Sequence, residues 1–129
     1  MNTLVDKKEL GAAKILLIDD EEIVHLTIAR ILKSDSYDIE HAYSAQEGLN
    51  KINNEYDLII CDVIMPGLNG INVLKNIKNK NYRAKVIMLS GFASKKDEEE
   101  ALANNALFYI TKPIEDIAKF KTFIADVVR

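Results

Sequence analysis

The chain has 129 residues, of which 48% are apolar and 29% charged, and its formal net charge is -3. That length suits one domain with a core of useful size, and the composition is that of a folded protein rather than a disordered one. The slight acidity argues against the basic surface that nucleic-acid binding needs, and no apolar run approaches the ~20 residues of a membrane span.

A single cysteine, Cys61, leaves no internal disulfide and fits a reducing compartment, though it serves equally well as a small buried apolar residue. The N-terminus lacks the apolar centre of a signal peptide, so a cytoplasmic location is expected. Residues 1–13 (MNTLVDKKELGAA) carry no sustained period and read as a flexible tail, which leaves 14–129 as the domain.

From Lys14 onward, short apolar runs alternate with helix-period segments. The first strand is ILLI (15–18), followed by a helix over 21–34 whose stripe is Val24, Ile28, Ile31 and Leu32. DIEHAY (38–43) mixes charged and apolar residues and reads as an edge strand. SAQE (44–47) has the capping-box pattern of a helix start, and Ala45, Leu49 and Ile52 mark the helix face. DLIIC (57–61) is a third strand, followed by a helix marked by Leu74 and Ile77, and KVIMLS (85–90) is a fourth strand. SKKD (94–97) starts the next helix, and LFYI (107–110) is the fifth strand. A last helix starts after Pro113, with Ile117, Phe120, Ile124 and Val127 on its inner face.

Continuous Ile, Leu and Val runs are those of parallel strands covered on both faces. The alternation therefore predicts an α/β fold: a (βα)5 doubly wound parallel sheet with right-handed crossovers. In such sheets ligands bind beyond the carboxyl ends of the strands. The residues there are Asp19 and Asp20 after the first strand, Asp62 after the third, Ser90 ending the fourth, and Lys112 with Pro113 after the fifth. Two unit charges ~4 Å apart repel by ~4 kcal/mol at an effective dielectric of ~20. Clustered carboxylates must therefore raise their pKa values or take up a cation, and all-oxygen ligands favour a hard one such as Mg2+. No His or Cys cluster argues for zinc. A carboxylate in such a place can act as a nucleophile toward phosphorus, with Lys112 and the Ser90 hydroxyl stabilising the phosphoryl oxygens.

LLIDDEE, LIICDVIMPGLNG, VIMLSG and FYITKP, in this order and spacing, resemble the receiver domain of bacterial two-component response regulators of the chemotaxis type, over about residues 14–127. The resemblance implies a flavodoxin-like sheet of strand order 2-1-3-4-5. It also implies that Asp62 accepts a phosphoryl group from a histidine kinase, a phosphotransfer protein or a small acyl phosphate. Asp20 would ligate Mg2+ directly, Asp19 directly or through water, and Asp62 and the main-chain carbonyl of Ile64 would complete the protein's share. Ser90 matches the hydroxylic switch residue, Tyr109 the aromatic that turns inward with it, and Lys112 the phosphoryl-pairing lysine, with a cis Lys112–Pro113 bond. The output face would be about residues 94–127, docking a downstream target or an output domain. Such a domain is a phosphoacceptor that assists its own transfer and dephosphorylation, not a classical enzyme.

Simpler readings stand beside these roles. Asp20 also suits an N-cap, and Glu21 and Glu22 suit first-turn acids favoured by the helix dipole. His25 and His41 read as solvated surface side chains, and Phe92, Phe108, Phe120 and Phe123 as core or partner-face residues. NNALFY lacks the glycine that many receivers carry before the alanine, so that loop is expected to differ in shape. Ser90 stands where Thr is commoner, and Gly91 is small, as the family requires. Bulky Ile64 and Phe92 beside the site are expected to slow dephosphorylation.

A flavodoxin-type cofactor binder would need a Gly/Ser/Thr-rich loop where DDEE stands. A hydrolase with an aspartyl-phosphate intermediate would carry its nucleophile on the first strand, in an Asp-x-Asp pair. A docking module independent of phosphorylation would lack one of Asp62, Lys112 or the acidic pair. The chain ends just past the last helix, which suits either a stand-alone receiver or the excised receiver of a larger response regulator or hybrid kinase.

Overall fold

The computed structural model describes residues 12–92 and 94–128. Most of the expected N-terminal tail, residues 1–11, lies outside the described residues. Five strands form one sheet: β1 (Lys14–Ile18), β2 (Asp38–Ala42), β3 (Leu58–Asp62), β4 (Lys85–Ser90) and β5 (Phe108–Thr111). All pairings are parallel, in the order β2-β1-β3-β4-β5, so DIEHA is the edge strand its charges suggest. The helices are α1 (Glu22–Ile31), α2 (Ala45–Lys51), α3 (Gly70–Asn79), α4 (Lys95–Ala103) and α5 (Ile117–Val128).

Alternate side chains of each central strand point to opposite faces, and both faces are buried. Ile15, Leu17, Leu58, Ile60, Ile87 and Leu89 meet Ile28 and Leu32 of the α1 segment and Phe120, Ile124 and Val127 of α5. Leu16, Ile18, Ile59, Cys61, Val86 and Met88 meet the apolar faces of α2, α3 and α4. Each fully buried Leu or Ile contributes roughly 1.5–3 kcal/mol. This double cover is why the strands read as unbroken apolar runs.

Helix starts follow their caps. The Ser44 hydroxyl accepts from the Glu47 N–H at 3.0 Å and the Ser94 hydroxyl from the Asp97 N–H at 3.2 Å. Asn69 caps α3 by accepting from the Ile71 N–H at 2.7 Å.

Several boundaries depart from the sequence reading. The first helix was expected to run to residue 34, but it stops at Ile31 and passes into a 3-10 turn, Lys33–Asp35, closed by Ser36 in the left-handed region at φ 57°. Ser34, Asp35 and Ser36 are residues whose side chains compete for backbone hydrogen bonds, which disfavours helix continuation. Strands β3 and β5 each sit one residue later than expected, which makes Asp62 the last residue of its strand. The last helix does start after Pro113, which stands in the loop before it, but Ile117, expected on the inner face, is half exposed because it opens the helix ahead of Phe120, the first residue to reach the core. In NNALFY, Asn105 adopts φ 75°, the left-handed conformation that a glycine would otherwise supply.

Candidate functional site

Because all five strands run in one direction, their carboxyl ends share one edge of the sheet. Asp19 and Asp20 leave β1 there, Asp62 and Ser90 end β3 and β4, and Lys112 follows β5. Among the described residues, Asp19, Asp20, Glu21 and Asp62 each offer a carboxylate oxygen, and these oxygens lie within 4.8 Å of one another. Asp19 is 0% and Asp62 3% exposed, whereas Asp20 and Glu21 face solvent.

One ammonium holds the cluster together. Lys112 Nζ lies 3.2 Å from Asp19 Oδ2, 3.1 Å from Glu21 Oε1 and 3.4 Å from Asp62 Oδ2. Burial alone would lower the Lys112 pKa, but its bond to Glu21 and the charges of Asp62 and Asp19 outweigh that and raise it, so the side chain stays cationic. A single positive charge does not balance three carboxylates. Burial first, then the Asp19 charge, push the Asp62 carboxyl up to about 6 against the pull of Lys112. Burial also raises Asp19, opposed by the Glu21 N–H and Lys112. The residual negative charge, the all-oxygen donors and the absence of His or Cys from the cluster fit a hard divalent cation.

Every polar atom of Asp19 is engaged. Its N–H donates to the Ala42 carbonyl at 3.1 Å, and its Oδ1 accepts from the Glu21 N–H at 2.8 Å. Its own carbonyl lies 2.8 Å from His25 Nε2. Asp20 does not cap the helix: the N-cap position is Glu21, which makes no side-chain capping bond. Glu22 lies in the first turn as expected, but Glu21 does more than begin a helix, since its carboxylate reaches Lys112.

Beside Asp62, the Ile64 N–H donates to the Asp62 carboxylate, while the Ile64 side chain faces solvent. The Ser90 hydroxyl is turned toward the following loop: it donates to the Phe92 carbonyl at 2.6 Å and accepts from the Phe92 N–H at 3.1 Å. The Tyr109 hydroxyl donates to the same carbonyl at 3.5 Å. The Lys112–Pro113 bond is cis. A groove of about 210 Å3, lined in part by Glu21, Ile23, Val24, Gly91, Lys112 and Pro113, runs beside the cluster. At Gly70, an added Cβ would fall 1.9 Å from the Asp62 carbonyl oxygen, so α3 can begin this close to the end of β3 only with glycine there.

The histidines correct the sequence reading. His25 is only 1% exposed, and its Nδ1 lies 2.7 Å from Nδ1 of the half-buried His41, with the Tyr43 ring stacked on His25 at 4.1 Å. The expectation of two solvated side chains fails because position 25 shares a helical face with Ile28 and Leu32, and β2 supplies a polar partner for it. That spacing was the one available signal. Of the phenylalanines, Phe120 is core, Phe108 and Phe123 stack at 4.5 Å, and Phe92 is 66% exposed.

Residues 15–124 match the family of the response regulator receiver domain. The chain belongs to that family. This receiver is 36% identical over 112 residues to the regulatory protein VanR of Enterococcus faecium, covering 84% of this chain and 48% of VanR. It superposes on a CheY-like receiver domain protein from Methanospirillum hungatei with TM-score 0.81, at 29% identity and covering 90% and 94% of the two chains. A third likeness is to the response regulator TrrA of Thermotoga maritima in complex with Mg2+-BeF, with TM-score 0.77, 29% identity and coverage of 89% and 98%. The curated relatives are longer: the receiver spans about a quarter to a half of their length. No helix among the described residues is long and apolar enough to cross a membrane.

Proposed function

We propose that this receiver is a phosphorylation-dependent switch in which Asp62 is the phosphoacceptor. The observation that carries the reading is the convergence of Asp62 with Lys112 and the Asp19–Asp20 pair at one sheet edge, in a cluster whose carboxylates outnumber its one ammonium. Asp19, Asp20, Asp62 and the Ile64 main-chain carbonyl would hold Mg2+. When bound, Mg2+ supplies charge neutralisation for the carboxylates and for the phosphoryl oxygens.

An Asp62 carboxylate oxygen attacks phosphorus, and the donor's P–N bond (phosphohistidine) or P–O bond (acyl phosphate) breaks with its electrons leaving on the donor. Lys112, already 3.4 Å from Asp62, is placed to pair with the incoming phosphoryl oxygens. The Ser90 hydroxyl can rotate away from Phe92 to donate to the same group. Tyr109, which shares the Phe92 carbonyl with Ser90, is the element that senses this rotation. The rearrangement changes the face formed by α4, β5 and α5, and with it partner binding.

The donor is a sensor histidine kinase, a phosphotransfer protein or a small acyl phosphate, and the reader is a downstream protein or an output domain in a longer chain. DNA contact by such a protein would belong to that other domain, since this chain carries a formal net charge of -3. The module is a phosphoacceptor rather than a classical enzyme, it works in the cytoplasm, and its domain covers residues 14–129.

Intact-mass spectrometry after treatment with acetyl phosphate and Mg2+ tests the reading. The parent chain should gain one phosphoryl group and Asp62→Asn none. A parent chain that stays unmodified, or an Asp62→Asn chain that is modified equally, would refute it.

A further inference from the structure

We infer that His25, held in one tautomer by His41, is a positioning residue for the metal-holding end of β1. The inference rests on the proposed role of Asp19 and Asp20 and deepens it.

A carbonyl oxygen can only accept, so the 2.8 Å contact between His25 Nε2 and the Asp19 carbonyl requires the hydrogen on Nε2. The 2.7 Å contact between His25 Nδ1 and His41 Nδ1 carries one hydrogen, which sits on the His41 side when His25 is in its neutral form. In that form the proton order is directional: His41 donates to His25, and His25 donates to Asp19. His41 is itself anchored, since its main-chain carbonyl accepts from Lys51 Nζ at 2.5 Å and Leu17 pairs with it across the sheet. Tyr43, two residues further and so on the same side of the chain as His41, stacks its ring on His25 and covers the pair.

The Asp19 carbonyl and the Asp20 N–H belong to one rigid peptide plane. Fixing the carbonyl therefore sets the direction in which the chain carries Asp20 into the cluster. Asp20 needs such a support, because it is exposed and, unlike Asp19, is not held by Lys112. Hydrogen bonds behind a metal ligand are commonly worth 10–100-fold in metal affinity. The histidine pair is well placed to act in that way, with His25 buried directly behind the Asp19 carbonyl.

Calorimetric titration of the full chain with MgCl2 tests this, using His25→Leu, His25→Gln and Asp20→Asn. The Gln side-chain N–H can reach the same carbonyl, while Leu fills the space without a donor. His25→Leu should weaken Mg2+ binding ~10-fold or more, and His25→Gln should stay within ~3-fold of the parent. Circular dichroism should show both variants folded, and at saturating MgCl2 both should reach the parent's extent of modification by acetyl phosphate. Parent-like affinity in His25→Leu overturns the inference. Equal weakening in His25→Gln and His25→Leu also overturns it, since that pattern marks a role in packing alone. Failure of the metal reading itself gives a different result: the parent would show no saturable binding that Asp20→Asn removes.

Discussion

Lys112 Nζ stands 3.4 Å from Asp62 Oδ2 and 3.2 Å from Asp19 Oδ2, so one ammonium serves two buried carboxylates, one ending β3 and one just past β1. Removing it leaves both without their counter-charge. Lys112→Ala should destabilise the metal-free chain by about 3 kcal/mol at neutral pH, the range for breaking a buried ion pair. Urea unfolding checks this, and the loss should shrink toward pH 4, where the carboxylates can protonate. MgCl2 should restore more stability to the variant than to the parent, because the variant's buried carboxylates have lost their ammonium counter-charge.

The Asp62 carboxyl gives a second pH dependence. Its folded pKa is raised to about 6 from 3.8. The folded state therefore binds the proton more tightly than the unfolded state, and stability falls as pH rises from about 4 through 6. Asp62→Asn removes the titration. At pH 7 without metal it should be the more stable protein by on the order of 2–3 kcal/mol, converging on the parent near pH 4. Thermal or urea unfolding at several pH values decides this, and a parent that gains stability between pH 4 and 6 relative to the variant would contradict it.

Gly70 lets α3 start against the end of β3. In Gly70→Ala the new methyl group meets the Asp62 carbonyl oxygen, which is backbone and cannot rotate away. A loss of about 2 kcal/mol or more is expected, as for overpacking at a rigid contact. Because the displaced backbone carries Asp62, the rate of modification by acetyl phosphate should fall even under conditions where the variant is fully folded.

Ser90 closes a small ring with Phe92 by donating to its carbonyl and accepting from its N–H. Ser90→Ala should open that ring without any phosphoryl group present. Hydrogen exchange at the Phe92 amide should speed up in the variant, and phosphorylation of the parent should produce the same acceleration. An amide equally protected in all three states would show that the ring is not what the hydroxyl leaves behind.

Phe92 is 66% exposed and Ile64 55% exposed, and both flank the site. Their bulk should hinder the water that attacks the acyl phosphate. Phe92→Ala should shorten the lifetime of the modified chain several-fold, followed as the decay of the phosphorylated mass. An unchanged lifetime removes Phe92 from the account.

The parallel sheet and the acidic edge were legible because both follow from patterns along the chain, whereas the strand order came only from the family resemblance. Runs such as ILLI and LIIC have only one comfortable home, between two helix layers, and the residue after each run must then sit at the sheet's carboxyl edge. Asp19, Asp62 and Lys112 needed nothing further. His25 was not legible in the same way. Its burial is tolerated only because His41, on a different element, satisfies its second nitrogen, and periodicity does not reveal a partner across elements. Glu21 was half legible: its place at the helix start was evident, but its reach to Lys112 depends on how the loop after β5 returns. The early end of α1 turned on Ser34, Asp35 and Ser36, residues that tip the balance by small local competition rather than by pattern.

The segments entering β2, β3, β4 and β5, at residues 32–37, 52–57, 80–84 and 104–107, all lie at the edge of the sheet remote from the carboxylates. Parallel topology thus divides the molecule into a working rim and a silent rim. A fluorophore or small reporter domain grafted at Asn53 or Asn54 would ride on the silent rim, where Arg83 already ties the loop down through its bonds to Asn54 and Glu55. With Asp62 as the proposed phosphoacceptor, such an insertion would follow its state from the edge of the sheet remote from the carboxylates.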